Sequence, residues 1–177
     1  MTPLEQLVAL CPPPAVVAVP EPPSGTLGTP LTGLVVPPSH LALNARYGAG
    51  EFDEFVVVYA LDWSNRYLDL GRRTAESSAA LAGRELPALR ALLAEYDRRP
   101  EELIHWASTH NGDSFFWVPT GEPDAWPTVL VSARQFDQEI LTGDSPTVLL
   151  GLLSGAIRSH ILPDDFPGPD PAFELLR

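Results

Sequence analysis

The chain has 177 residues, 45% of them apolar, enough for one ordinary domain with a real core and short for two. Twenty-three acidic residues against 11 basic ones leave a net charge of −12. That excess disfavours binding to nucleic-acid phosphates and favours basic partners, whose encounter it speeds.

Met1 to Leu10 predicts a short helix with Pro3 near its start. Cys11 to Pro38 then holds nine prolines and a single charge, Glu21, which predicts an extended arm acting as a spacer. A ligand for SH3-like domains is the alternative, but flanking basic residues are missing. Ser39 begins a helix that offers Leu41, Leu43 and Tyr47 for burial and ends at Gly48. Phe52 and Phe55 to Tyr59 read as one strand or two short ones, and Asp62 to Asn65 as a loop. Leu70 to Ala82 is an alanine-dominated helix that Gly83 interrupts. Pro87 opens the next helix, where Leu89, Leu92, Leu93 and Tyr96 fall at i, i+3, i+4, i+7. Arg98 and Arg99 suit its C-terminal dipole, and Pro100 stops it.

Leu103 to Val131 carries the strongest pattern. Asn111-Gly112 lies between two runs rich in aromatic and branched residues and predicts a type I′ hairpin turn. In the second run Phe115 and Trp117 point one way, Phe116 and Val118 the other, as in a central strand. Thr128 to Ser132 and Phe136 to Leu141 predict two further strands. Asp144-Ser145-Pro146 starts a helix, with the Ser145 hydroxyl as N-cap and proline at N1. Leu149, Leu150, Leu152, Leu153 and Ile157 then bury one wide face. Ile161 to Arg177, with four prolines, predicts a tail of little structure. Helices around antiparallel strands make the class α+β. The expected organisation is a helix and proline-rich arm over 1–36, a domain over 37–161 and a tail over 162–177.

Cys11 is the only cysteine, so no internal disulfide forms, which fits a reducing compartment. No basic residue precedes Arg46, so a secretory leader is not expected. Val8 to Cys11 faintly resembles a lipoprotein cleavage site, but Leu10 is too large for it. No apolar run approaches the length of a membrane span. The expected location is cytoplasmic. All 11 basic residues are arginine, which a GC-rich coding bias explains.

The residues suggest little chemistry. His105 and His110 are five apart, which sends them to opposite faces of a strand, and His40 and His160 have no partner at a ligand spacing. No metal or cofactor is expected. His110, Asp113 and Ser114 resemble a triad only in their letters, because Asn-Gly-Asp already makes sense as turn chemistry. Gly48-Ala49-Gly50 is too short for a nucleotide loop and fits a helix cap. Glu51, Asp53 and Glu54 read as a solvated rim. Trp106 and Trp117 belong to the core. Trp63 and Trp126 lie in loops beside acids, Asp62 for the first, Glu122 and Asp124 for the second. An exposed aromatic ringed by acids is an interface anchor; a loop tryptophan folded back on the core is the other reading.

Pro37 to Phe52, Pro-Pro-Ser-His-Leu-Ala-Leu-Asn-Ala-Arg-Tyr-Gly-Ala-Gly-Glu-Phe, resembles the opening of SUKH-superfamily domains, where a proline precedes a short helix, a Tyr-Gly-x-Gly turn and a strand. Asn111 to Trp117 is similar to the family's hairpin. Gly121 to Pro127 and the helix ending Leu152-Leu153-Ser154-Gly155 match in kind and order. The blocks span about two-thirds of the chain. The proline arm and the helices over Leu70 to Tyr96 are longer than the family pattern. The resemblance implies an α+β fold with a bent, mixed or antiparallel sheet flanked by helices. It also implies a non-catalytic bacterial immunity protein that neutralises a cognate toxin, often a nuclease. Related eukaryotic domains are scaffolds in cell-wall regulation.

The expected function is therefore binding of a basic protein toxin, with an intracellular scaffold or a small enzyme of undetected type as alternatives. Nucleic acid and membrane are not expected partners. The candidate binding residues are Asp53, Glu54, Asp62, Trp63, Glu122, Asp124 and Trp126.

Overall fold

Among the described residues seven strands make one sheet: β1 (Gly50–Phe52), β2 (Val56–Val58), β3 (Ile104–Thr109), β4 (Ser114–Trp117), β5 (Thr128–Val131), β6 (Gln138–Leu141) and β7 (Phe173–Leu175). They lie in the order β6-β5-β4-β3-β2-β1-β7, and every neighbouring pair is antiparallel. The computed structural model describes residues 1–15, 33–133 and 137–176. Most of the expected proline-rich arm, and Phe136 of the expected fourth strand, lie outside them. The class is α+β, as the sequence predicts.

The two apolar faces of β4 are covered separately. Phe115 and Trp117 join Trp106 and Leu130 in a cluster with α1 (Pro3–Leu10), α2 (Pro38–Tyr47) and α5 (Ser145–Leu153). Phe116 and Val118 join Val129 and Val131 beneath Leu81 of α3 (Leu70–Ala82) and Leu89 and Leu93 of α4 (Pro87–Ala94). The β3–β4 register shifts between His105 and Ala107, so Trp106 occupies a bulge that bends the strand.

Several local expectations are corrected. The hairpin turn is not type I′, because only Gly112 has positive φ, at 89°. Gly112 N–H donates to the Thr109 carbonyl and Thr109 N–H to the Asp113 carbonyl, leaving a three-residue loop with glycine in the left-handed position. In α2 the buried stripe is His40, Leu43 and Tyr47 at i, i+3, i+7, so Leu41 turns out to solvent. The N-cap of α5 is Asp144, whose carboxylate accepts from Thr147 N–H, while Ser145 is the first helical residue. Helix α4 ends at Ala94 and Asp97 turns left-handed, so Arg98 leaves the helix axis and donates to the Pro119 carbonyl.

The C-terminal tail is not structureless. Leu162 and Phe166 are buried, and β7 pairs with β1 so that the Phe173 ring lies 4.9 Å from Tyr47 and 4.8 Å from Phe52. A Cβ at Gly50 would strike the Glu174 carbonyl and the Phe173 ring, so glycine is what admits this strand. Its apolar side chains explain the docking: burying Phe173 and Leu175 outweighs the reluctance of proline to pair elsewhere in the tail. At the other terminus α1 packs on α5 and places Leu7 and Cys11 in the main cluster. The Tyr47 hydroxyl donates to the Cys11 carbonyl at 2.7 Å.

Trp117 is 1% exposed and stacks on Trp106 with 5.8 Å between ring centroids. Trp117→Ala is expected to lower unfolding free energy by roughly 3–5 kcal/mol. Urea titration checks this, and a change below about 1 kcal/mol would place β4 outside the core.

Candidate protein-binding surface

The register of the sheet divides the seven candidate residues. Phe52 pairs with Val56, and Val56 with Thr109, so the β1–β2 turn carrying Asp53 and Glu54 lies at the same end as the hairpin turn His110 to Gly112. Val58 pairs with Ala107, Ile104 with Trp117, and Trp117 with Thr128. The loops bearing Asp62, Trp63, Glu122, Asp124 and Trp126 therefore leave the opposite end. The candidates do not form one patch.

Phe55 N–H donates to the Phe52 carbonyl at 3.1 Å across a turn whose central residues have φ of 55° at Asp53 and 51° at Glu54. Two successive positive φ values define the primed turn that the right-handed twist of a hairpin requires, and glycine or asparagine normally fills it. Asp53 has a structural task as well, because its carboxylate accepts from Gly168 N–H at 2.7 Å and fastens the tail. Glu54 is exposed and has no polar partner among the described residues. Asp62 is exposed too, with φ 55°.

Neither loop tryptophan is an exposed anchor. Trp63 is 8% and Trp126 6% exposed, and both belong to the main core cluster. Burial of a large ring outweighs exposure unless a partner covers it, so the reading of a loop folded back on the core is the correct one. Trp126 also donates its indole N–H to the Gly121 carbonyl at 3.2 Å. Asp124 is diverted to structure: its carboxylate accepts from Ser39 N–H at 2.9 Å and caps α2 from 85 residues away. Glu122 stays exposed.

The histidines separate into two kinds. His110 at the hairpin turn contacts Glu51 at 2.8 Å, and His160 contacts Asp137 at 3.0 Å, both with exposed rings. His40 and His105 are buried on opposite faces of the sheet. His40 meets the Ser145 hydroxyl through Nδ1 and the Tyr59 carbonyl through Nε2, each at 2.9 Å, so Nε2 carries the proton and Ser145 donates to Nδ1. Its ring stands edge-on to Trp117. His105 meets Ser77 at 2.6 Å and Ser108 at 3.0 Å, and Ser108 accepts from the Tyr59 hydroxyl. With both ring nitrogens engaged, neither histidine has a lone pair free for a substrate. The histidine spacing does not announce the second network; its signal is Thr74, Ser77 and Ser78 at i, i+3, i+4 in an alanine-rich helix.

Asp113 is committed to its turn, accepting from the Thr109 hydroxyl at 2.7 Å and from Ala133 N–H at 3.1 Å. The buried Cys11 thiol donates to the Pro171 carbonyl, and burial pushes its pKa up to about 11. That favours the thiol over the nucleophilic thiolate.

Charge is distributed unevenly. Residues 66–99, which hold α3 and α4, contain seven arginines against five acids. The rest of the chain contains four arginines against 18 acids. Helices α1, α2 and α5 add only Glu5 and Arg46, so the acids belong mainly to the turns and strands of the sheet and to the tail. In comparisons with protein-family models, curated proteins and solved structures, the chain matches none.

Burial lowers the pKa of His40 to about 4, and burial together with the Arg73 charge lowers that of His105 to about 3. Both groups protonate near 6.5 once unfolded. Their contribution is thus complete above pH 6.5 and declines as pH falls towards 4, by up to about 1.4 kcal/mol per group per pH unit. Histidine Cε1–H resonances should show two rings still neutral at pH 5, and urea midpoints should fall between pH 6.5 and 4.5. Two buried rings that titrate near pH 6.5 would contradict the networks.

Proposed function

We propose that the chain is a non-catalytic protein-binding domain that engages a basic protein partner, and that it is an immunity-type protein neutralising a cognate toxin. The observation that carries this reading is Glu54, an exposed glutamate held at φ 51° with no polar partner among the described residues. A left-handed residue with a Cβ costs roughly 1–2 kcal/mol. Aspartate is common in that conformation because its short side chain bonds locally, but glutamate is not. Strain of this kind concentrates at functional positions.

The uneven charge supports the same reading. A nuclease must attract phosphate and is therefore cationic at its active site, so an acidic surface is a fitting plug. The SUKH resemblance over Pro37 to Gly155 points to the same class of function.

A binding assay against the product of the neighbouring gene tests the proposal. Association is expected to slow as salt rises past the point where the Debye length is about 8 Å, and to slow further in Glu54→Arg. Glu54→Gly separates structure from function. It should raise stability by up to about 1 kcal/mol, because relief of strain exceeds the added freedom of glycine in the unfolded chain. The same substitution should weaken binding. Unchanged association in both variants rejects the acidic turn, and no binding to any neighbouring product favours the intracellular scaffold instead.

A further inference from the structure

The outer strands of the sheet, β6 and β7, present their free edges differently. In β6, Ser132 N–H donates to the Asp137 carbonyl, so the alternation of the ladder turns the backbone of Gln138 and Ile140 outward. That edge is blunted. Asp137 accepts the outward Gln138 N–H on its carboxylate at 2.9 Å, and His160 holds the same carboxylate at 3.0 Å. The Ser159 hydroxyl donates to Glu139 beside it.

In β7, Asp53 N–H donates to the Ala172 carbonyl and Leu176 N–H to the Ala49 carbonyl. Glu51 lies opposite Glu174, so alternation turns the N–H and C=O groups of Phe173 and Leu175 away from β1. No described residue bonds to those groups. An open edge of this kind is a template for another strand.

The side chains specify which strand. Glu174 is exposed, has no polar partner among the described residues and stands directly across the ladder from Glu51. Like charges so placed repel, and His110 contacts Glu51 at 2.8 Å without reaching Glu174. On the other face Phe173 and Leu175 are half-buried against the main cluster, so an added strand extends that apolar surface. A second copy is a poor occupant. In a two-fold antiparallel pairing centred on β7, Glu174 would face Glu174.

We propose that the outer edge of β7 takes on an antiparallel strand of a basic protein, with an arginine or lysine opposite Glu174 and apolar residues beside Phe173 and Leu175. In that register the cation occupies a non-hydrogen-bonded pair, where facing side chains are closest. Strand addition draws affinity from main-chain bonds and specificity from alternate side chains. The basic character of the partner rests on the function proposed above, and β7 starts beside the acidic turn, at the Asp53–Ala172 bond.

The test is selection of short random peptides, displayed on phage, against the full chain, with backbone amide exchange followed by NMR. In the free chain the Phe173 and Leu175 amides should exchange fast and that of Glu174 slowly. Selected peptides should carry an arginine or lysine between apolar residues and should protect both outward amides. Glu174→Arg should keep or raise the thermal midpoint, since it sets an opposite charge across from Glu51. The same substitution should weaken these peptides about tenfold. Exchanging the peptide cation for glutamate should restore affinity on that variant alone. Peptides that leave both amides unprotected, protecting peptides without a cation, or protection already present in the free chain would overturn the proposal. So would dimerisation that protects the same amides, which would make a second copy the occupant. The assay against the neighbouring gene product is separate: its failure rejects the toxin reading, while the selected peptides decide the edge.

Discussion

The double covering of β4 is the constraint from which the rest of the architecture follows. A strand with Phe115 and Trp117 on one face and Phe116 and Val118 on the other cannot leave either face to water. One helical layer does not suffice. The chain supplies α1, α2 and α5 on one side and, between β2 and β3 of the β1–β6 meander, inserts α3 and α4 on the other. Both sheet faces are thereby consumed. What remains for recognition is the two ends of the sheet, its edges and the outer sides of the helices, and the candidate acids lie at the ends.

Within those two cores sit two histidines that apolar residues of similar volume would replace at little cost, were packing the only requirement. Each fastens elements that have no ladder between them. His40 joins α2 to the Tyr59 carbonyl beyond β2 and to Ser145 at the start of α5. His105 joins β3 to α3 through Ser77, while its own backbone N–H meets Thr74 of the same helix. A satisfied buried network admits one register, because any other leaves ring nitrogens unpaired in a low dielectric. The apolar stripes alone would tolerate sliding of α2 or α3; the histidines do not.

Legibility in the sequence followed the range of the interaction. The central hairpin, α3, α4 and α5 are readable because their signals, alternation or helical spacing, are contained within the element. The turn types were harder. Asn111-Gly112 matches the primed-turn pattern, yet the structure uses Gly112 alone, and two successive positive φ values fall instead on Asp53-Glu54, where no propensity recommends the glutamate. Contacts between distant segments were not readable. Phe173 returning to Tyr47 and Phe52, Asp124 capping α2, and Asp53 holding Gly168 each depend on a partner at least 80 residues away. Of the candidate site, the charge was legible. The burial of Trp63 and Trp126 and the separation of the acids between two sheet ends were not, because both are products of topology.

The left-handed acids bear on how function and stability are divided in this chain. Among the described residues, the four positions other than glycine with positive φ are Asp53, Glu54, Asp62 and Asp97, all carboxylates. Three are aspartate, which tolerates the conformation, and Asp53 is also bound to the tail, so structure accounts for much of the pattern. Glu54 is the exception, and a conformational preference does not explain it. A surface glutamate that strains its own turn has no polar partner among the described residues, so the strain is carried by the stability of the surrounding fold. In the reading proposed above, what favours a carboxylate there over glycine is a cationic partner that makes a charge-assisted contact with it. Glycine at the same place would give a better hairpin and a poorer surface.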